Sequence, residues 1–367
     1  RSCRDSFQHM LKTLESVKSS EVQALDRLLE LLRRVPGLEI VDSAAQPSYG
    51  DGRPDFALKV RAGNARWTLI VEVKPNGQPM HVRSALHQLN KYRQHAGAAA
   101  APVLIAPYLS PEARRLCVED GVGFVDLYGN ARLAFGAIYI ETEVEGAPVA
   151  ERRGVKSLFR PKSAQVLRVL LRDPKHPWRV TDLAEATDVS LGHVSNVRAG
   201  LIERDWAKVS DNGLVVSRPD DILDAWVEAY EPPVGKRMKF YTPLHGDVLQ
   251  KAIRSAIDRR PEKSGAMLAS FSAAQWLAPF GRHASQFLYC DAAALDHITS
   301  ELRLEPTNKG ENVVITELLE AGLFRDAISP AEGVLCTSVI QTYLDLAASG
   351  ERGKEAAEHL RRERLKW

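Results

Sequence analysis

Residues 54–74 read PDFALKVRAGNARWTLIVEVK, two alternating apolar and polar runs on either side of the turn-prone Ala62-Gly63-Asn64-Ala65. Alternation of this kind predicts half-buried strands, and a short turn between them predicts a hairpin. Glu72 and Lys74 are two apart and project from one face of the second strand, while Val71 and Val73 pack on the other. Asp55 and Glu72 have sixteen residues between them, a spacing at which the hairpin can set the two acids side by side. Two adjacent carboxylates hold a hard cation through oxygen, which suits Mg²⁺ or Mn²⁺. Such a metal stabilises charge on a scissile phosphate and helps generate hydroxide, with Lys74 orienting or deprotonating the attacking water.

Around the hairpin the chain alternates between helical and strand patterns. Leu25, Leu28, Leu29 and Leu32 recur at helical spacing before Pro36-Gly37. A helix is expected from about Met80 to His95, then a strand at VLIAP, a helix around PEARRLCVED, and short strands in VGFVDLYGNARLAF and AIYIETEV. This order indicates an α/β domain over residues 1–150. Gln88 and Tyr92 lie four apart on one face of the predicted 80–95 helix. Pro54-Asp55, Glu72-Val73-Lys74 and Gln88-Leu-Asn-Lys-Tyr92 together resemble the PD-(D/E)xK phosphodiesterases and the QxxxY signature of their RecB-type branch. The resemblance implies a restriction-endonuclease-like fold, catalytic roles for Asp55, Glu72, Lys74, Gln88 and Tyr92, and a metal site of Asp55 and Glu72. In that superfamily an acid of the opening helix often completes the metal site, and here Glu21 is the candidate.

The pattern changes to short helices from Leu158 to about Tyr230. A first helix is expected over Lys162 to Arg172, a second at DLAEAT capped by Thr181, and a third from Ser190, its N-cap, through SLGHVSNVRAGLIERD. Val194, Val197 and Leu201 mark the buried face of the third. Trp206-Ala-Lys-Val-Ser and Leu-Val-Val-Ser-Arg218 flank Asp211-Asn-Gly, a hairpin signal. Three helices and a hairpin in this order form a winged helix-turn-helix over 151–232. A recognition helix enters the major groove with its N-terminal residues. Ser190, Leu191, Gly192, His193, Ser195 and Asn196 are therefore the candidates for DNA contact, with Arg198 and Lys208 assigned to phosphates. Between Arg152 and Arg218 thirteen Lys and Arg stand against seven Asp and Glu, a basic excess that suits a phosphate-facing surface.

Pro232-Pro233-Val234-Gly235 reads as a linker, and 233–367 as an α+β domain with strands at FLYCD and NVVITELL and helices at IQTYLDLAAS and the C-terminal end. It contains no motif that specifies chemistry. A dimer contact and a partner contact are both open for it.

Composition excludes several classes. With 44% hydrophobic and 26% charged residues among 367, no apolar run approaches a membrane span. The first twenty residues carry polar and charged groups throughout and lack the apolar stretch of a secretory signal, so the expected location is the cytoplasm, at the nucleoid. Cys3, Cys117, Cys290 and Cys336 have no zinc-ligand spacing and are read as reduced, mostly buried thiols. His81, His87 and His95 do not form a metal pair on one helical face, and no GxSxG elbow is present.

Several further strings resemble the AbiEi antitoxins of type IV toxin–antitoxin systems: GVGFVDLYGNARL at 121–133, FRPKSAQVLRVLL at 159–171, SFSAAQWLAP at 270–279 and TSVIQTYLDL at 337–346. Asp126, Gly129 and Asn130 in the first of these suit a tight turn. The resemblance implies an autorepressor that counters a nucleotidyltransferase-like toxin. Two readings follow: a Mg²⁺-dependent DNA endonuclease or exonuclease targeted by its winged helix, and an antitoxin-like regulator whose nuclease fold is a scaffold. The expected partners are DNA, a cognate toxin protein and a second copy in a homodimer, with no membrane.

Overall fold

The structure, a computed structural model, describes residues 19–50, 52–258, 265–281 and 283–367. The described residues divide into two compact units, those up to 152 with 203–205, and those of 153–202 with 206–367. The boundary read at Pro232-Pro233 lies inside the second. Among the described residues no helix is long and apolar enough to cross a membrane. Cys117, Cys290 and Cys336 are free and buried, and burial pushes each thiol up to about 12. Cys3 lies outside the described residues.

In the first unit helix α1 (Ser19–Arg33) leads into strands β1 (Leu38–Ala45), β2 (Phe56–Ala62) and β3 (Ala65–Val73). Helix α2 (Pro79–Ala96), strand β4 (Ala100–Ala106), helix α3 (Pro111–Glu119) and strands β5 (Gly123–Asp126), β6 (Ala131–Phe135) and β7 (Ile138–Thr142) follow. The seven strands pair in chain order. Pairing is antiparallel from β1 to β3, parallel across β3, β4 and β5, and antiparallel again to β7. Gly63 takes a φ of +59° in the two-residue β2–β3 turn, which costs glycine little.

Strand alternation then decides the layers. Leu58, Leu69, Val71, Val103 and Ile105 face α1, whose Leu28 and Leu32 are fully buried. Ile70 and Leu104 face α2 and α3 and meet Val82, Leu86 and Leu89. Burying one such leucine contributes about 1.5–3 kcal/mol, so both faces have a firm core. The β5–β6 turn is held by Asp126, fully buried, which accepts from the main-chain N–H of Leu109 (3.1 Å), Gly129 (2.8 Å) and Asn130 (2.8 Å) and from the Asn130 amide (2.8 Å).

Helix α4 (Val149–Leu158) runs into the second unit, where α5 (Pro161–Arg172), α6 (Val180–Thr187) and α7 (Leu191–Glu203) precede a hairpin of β8 (Ala207–Ser210) and β9 (Gly213–Val216). Trp178 and Leu214 exchange main-chain hydrogen bonds of 2.9 and 2.8 Å and anchor the hairpin base. Thr181 is not the cap expected of it: the helix begins at Val180 behind Arg179, and the Thr181 hydroxyl bonds Asp182 instead. The chain emerging from the Trp178 bridge is already turning one residue earlier.

After α8 (Pro219–Glu228), strand β10 (Gly235–Tyr241), α9 (Gly246–Asp258), β11 (Ala266–Leu268), α10 (Ser270–Leu277), β12 (Gln286–Cys290) and α11 (Ala292–Glu301) follow. Strands β13 (Glu305–Pro306), β14 (Val313–Leu318), β15 (Ile328–Ala331) and β16 (Val334–Cys336) and helices α12 (Val339–Ala347) and α13 (Gly350–Arg364) complete the chain. The strands form one mixed sheet, ordered β13-β10-β14-β12-β11-β16-β15. One apolar core joins α5 to α8 with α10, α12 and α13: Leu167, Leu170, Val197, Leu201 and Trp226 share it with Leu277, Ile340, Leu344 and Leu360.

Candidate functional site

At the end of β3 the structure gathers Asp55, Glu72, Lys74, Gln88 and Tyr92. Asp55 stands just before β2 and accepts the Val73 N–H at 2.7 Å, which ties it to the strand carrying Glu72. Glu72 is 7% exposed and shares its face with Ile70, toward α2. Lys74 donates to Glu72 Oε1 at 2.7 Å and to Gln88 Oε1 at 3.0 Å, so α2 holds the lysine over the carboxylate. Burial pushes the Glu72 carboxyl up, the Lys74 hydrogen bond pulls it back, and the charge of Asp55 pushes it up again. Tyr92, one turn beyond Gln88, is buried and its phenol is raised by burial first, then by Glu72 and Asp55.

A feature that sequence spacing did not bring out is Gly52. A Cβ there would lie 2.3 Å from Tyr92 Cε1, so glycine lets the loop leading to Asp55 lie on the tyrosine ring. Glycines at 50 and 52, just ahead of Pro54-Asp55, were the available signal.

The donor set fits a divalent cation. Glu72 Oε2 is buried and has no hydrogen-bond partner, although a buried carboxylate oxygen normally finds one. A cation beside Asp55 and Glu72 would satisfy it and offset the repulsion between the two acids. Glu21 does not join them: among the described residues no three His, Cys, Asp or Glu side chains come close enough together to hold a metal. Its helix α1 packs on the sheet face of Val71, opposite Glu72. His95 bonds the Lys91 carbonyl at 2.8 Å, an ordinary local contact.

A second candidate surface lies on α7. Ser190 caps it, accepting the His193 N–H at 3.4 Å. Leu191, Gly192, Ser195 and Asn196 are exposed along its first two turns, while Val194, Val197 and Leu201 are buried beneath. Arg198 is half-buried and Lys208 is exposed on β8. His193 differs from its neighbours, since its Nε2 meets the hydroxyl of buried Ser163 at 2.9 Å and is committed to the interior.

The second unit also holds a buried polar group. Asp345 Oδ1 accepts from Tyr230, from Tyr289 at 2.9 Å and from Gln341 at 2.9 Å. Burial pushes its carboxyl up to about 6 despite those donors. The raised value means the folded unit holds the proton more tightly than the unfolded chain. This contribution is fully present below the ordinary carboxylate value of 3.8 and is lost as pH rises through about 6. We predict that Asp345→Asn removes a stability loss of about 2–3 kcal/mol between pH 4 and 7, measured by urea unfolding across that range. An unchanged pH profile in the variant would sink this assignment.

Residues 215–366 match the family described as transcriptional regulator, AbiEi antitoxin, type IV TA system. The match begins in β9 and runs through the C-terminal sheet to the last helix. Among solved structures, a repair endonuclease from Pyrococcus abyssi is similar over 31% of this chain and 49% of its own, at 21% identity and a TM-score of 0.24. An EndoMS complex with double-stranded DNA is similar over 29% and 44%, at 21% identity and a TM-score of 0.22. EndoMS in its apo form is similar over 31% and 47%, at 23% identity and 0.22. The chain spans about half the length of these proteins. No curated protein matches it.

Proposed function

We propose that the protein is a DNA-binding transcriptional regulator of the antitoxin type, acting in the cytoplasm at the nucleoid, with a toxin protein as its counterpart. The observation that carries this reading is the match of residues 215–366 to that regulator family. The exposed start of α7 supports it, because a winged helix presents this part of its third helix to the major groove. Leu191, Gly192, Ser195 and Asn196 face the bases in this reading, and Arg198 and Lys208 face phosphates. The test is binding to DNA upstream of the protein's own gene, titrated against salt. Arg198→Ala is expected to weaken binding to every sequence by roughly 3- to 10-fold and to lower the salt slope by about one. Asn196→Ala is expected to cost about 1–3 kcal/mol on the preferred sequence only. Wild-type affinity in both variants, with the fold intact, would place the DNA reader elsewhere.

A second reading is favoured by the orphaned oxygen of Glu72. In it the first unit is a PD-(D/E)xK phosphodiesterase, with Asp55 and Glu72 holding Mg²⁺ or Mn²⁺. When bound, the cation would neutralise the scissile phosphate and acidify a water. Lys74, fixed by Gln88, points a positive charge at the same place. Tyr92 and Gly52 fix the loop that presents Asp55. The two readings are compatible in one chain, since the catalytic groups and the DNA-reading helix belong to different units.

A further inference from the structure

Helix α5 lines a cavity of about 220 Å³ inside the second unit. Pro161, Ala164, Gln165 and Arg168 stand on this wall at i, i+3, i+4 and i+7, one continuous helical face. Another wall is aromatic: Phe159 and Trp226 stack with ring centroids 5.5 Å apart and planes 12° from parallel. Gln341, which is tied to Tyr230 and Asp345, also lines the cavity. The strings at 159–171 and 337–346, to which neither proposed activity assigns a contact with DNA or metal, therefore meet here.

Arg168 is the unusual member. It is 4% exposed, yet its contacts are long: 3.4 Å to Gln341 Oε1, and 3.4 Å from its Nε to Asp326 Oδ2 without hydrogen-bond geometry. A buried guanidinium has five donors, and leaving one unmet is costly. What is unmet here is a donor, the Arg168 Nε, which makes no hydrogen bond. The cavity lining carries Lys156, Arg160 and Arg168 against Glu231 and Glu320, with Lys156 facing Glu231 and Arg168 facing Asp326, so what favours an anion is the unmet Arg168 donor and not net charge. The stacked pair offers a flat apolar face. Cavities of ~150 Å³ already hold a benzene ring, so the volume suits one ring with a small substituent.

We propose that this cavity is an effector site for a monocyclic aromatic carboxylate, its ring against Phe159 and Trp226 and its carboxylate at Arg168. Because α5 is also the first helix of the DNA-reading segment, occupancy changes affinity for DNA; this second half rests on the regulator reading. Linkage makes the effect reciprocal, so DNA changes affinity for the carboxylate by the same factor.

The test is isothermal titration of the full chain with benzoate and 4-hydroxybenzoate, with benzamide as the neutral isostere. One saturable site per chain is expected, at least 10-fold weaker for benzamide. Arg168→Ala strands Asp326 and tests folding as much as binding, so Ala164→Leu, which fills the cavity, carries the mutational arm. It is expected to keep the wild-type melting temperature and lose the heat of binding. Absence of a saturable heat, equal affinity for benzamide, or unchanged binding in folded Ala164→Leu each overturns the site. Saturable binding that leaves DNA affinity unchanged overturns the coupling. Failure to bind DNA without any carboxylate is instead a failure of the regulator reading, and the calorimetric arm still decides the site.

Discussion

Glu72→Ala is expected, on the phosphodiesterase reading, to abolish divalent-cation-dependent cleavage of DNA, a loss of at least ~10³-fold or about 4 kcal/mol of transition-state stabilisation. The purified chain would be assayed with Mg²⁺ and Mn²⁺ on duplex, single-stranded and branched substrates. Removing Glu72 takes away the orphaned oxygen of this site and half of the carboxylate pair, so a cation would have nowhere to sit. Binding to the promoter is expected to stay at the wild-type level, because α7 lies in the other unit. Gln88→Ala, which frees Lys74 without touching either acid, is expected to lower the rate by a smaller ~10- to 100-fold. Cleavage by neither the wild type nor any variant, on every substrate, together with tight promoter binding, would leave the first unit as a scaffold.

Asp126→Ala is expected to cost more than about 4 kcal/mol, a large share of the ~5–15 kcal/mol that holds a domain together. Its carboxylate satisfies three main-chain N–H groups and one amide in the interior, and alanine leaves all four without an acceptor. Each buried orphan costs roughly 1–3 kcal/mol. Hydrogen exchange should show loss of protection in β4, β5 and β6 while α5 and α12 remain protected. A variant within 1 kcal/mol of wild type by urea unfolding would show that water or a rearranged turn replaces the carboxylate.

Local periodicity made part of the first unit readable. Glu72 and Lys74 share a face because strands repeat every two residues, and Gln88 and Tyr92 share one because helices repeat every 3.6; the structure joins these faces through Lys74. Strand β1 was not readable. LEIVDSAA is an edge strand with little buried surface and a register irregularity between Ile40 and Asp42, so its polar pattern resembles a loop. Glu21 was the acid that the superfamily resemblance implied on the opening helix, and its place there says nothing about which sheet face the helix covers. His193 stood among exposed neighbours in the helical pattern, and its partner Ser163 is thirty positions away. The Tyr230, Tyr289, Gln341 and Asp345 group draws on three distant segments, and only the four-residue spacing of Gln341 and Asp345 in an apolar helix hinted at it.

The apolar core that α5 to α8 share with α10, α12 and α13 also limits how such a gene can be reshuffled. A recombination event at the Pro232-Pro233 codons would part Leu167 and Leu170 from Ile340 and Leu344, and both products would expose sticky surface prone to aggregate. A crossover near codon 153 severs no such core. Natural chimeras of this architecture should therefore exchange their front ends far more readily than they lose their tails.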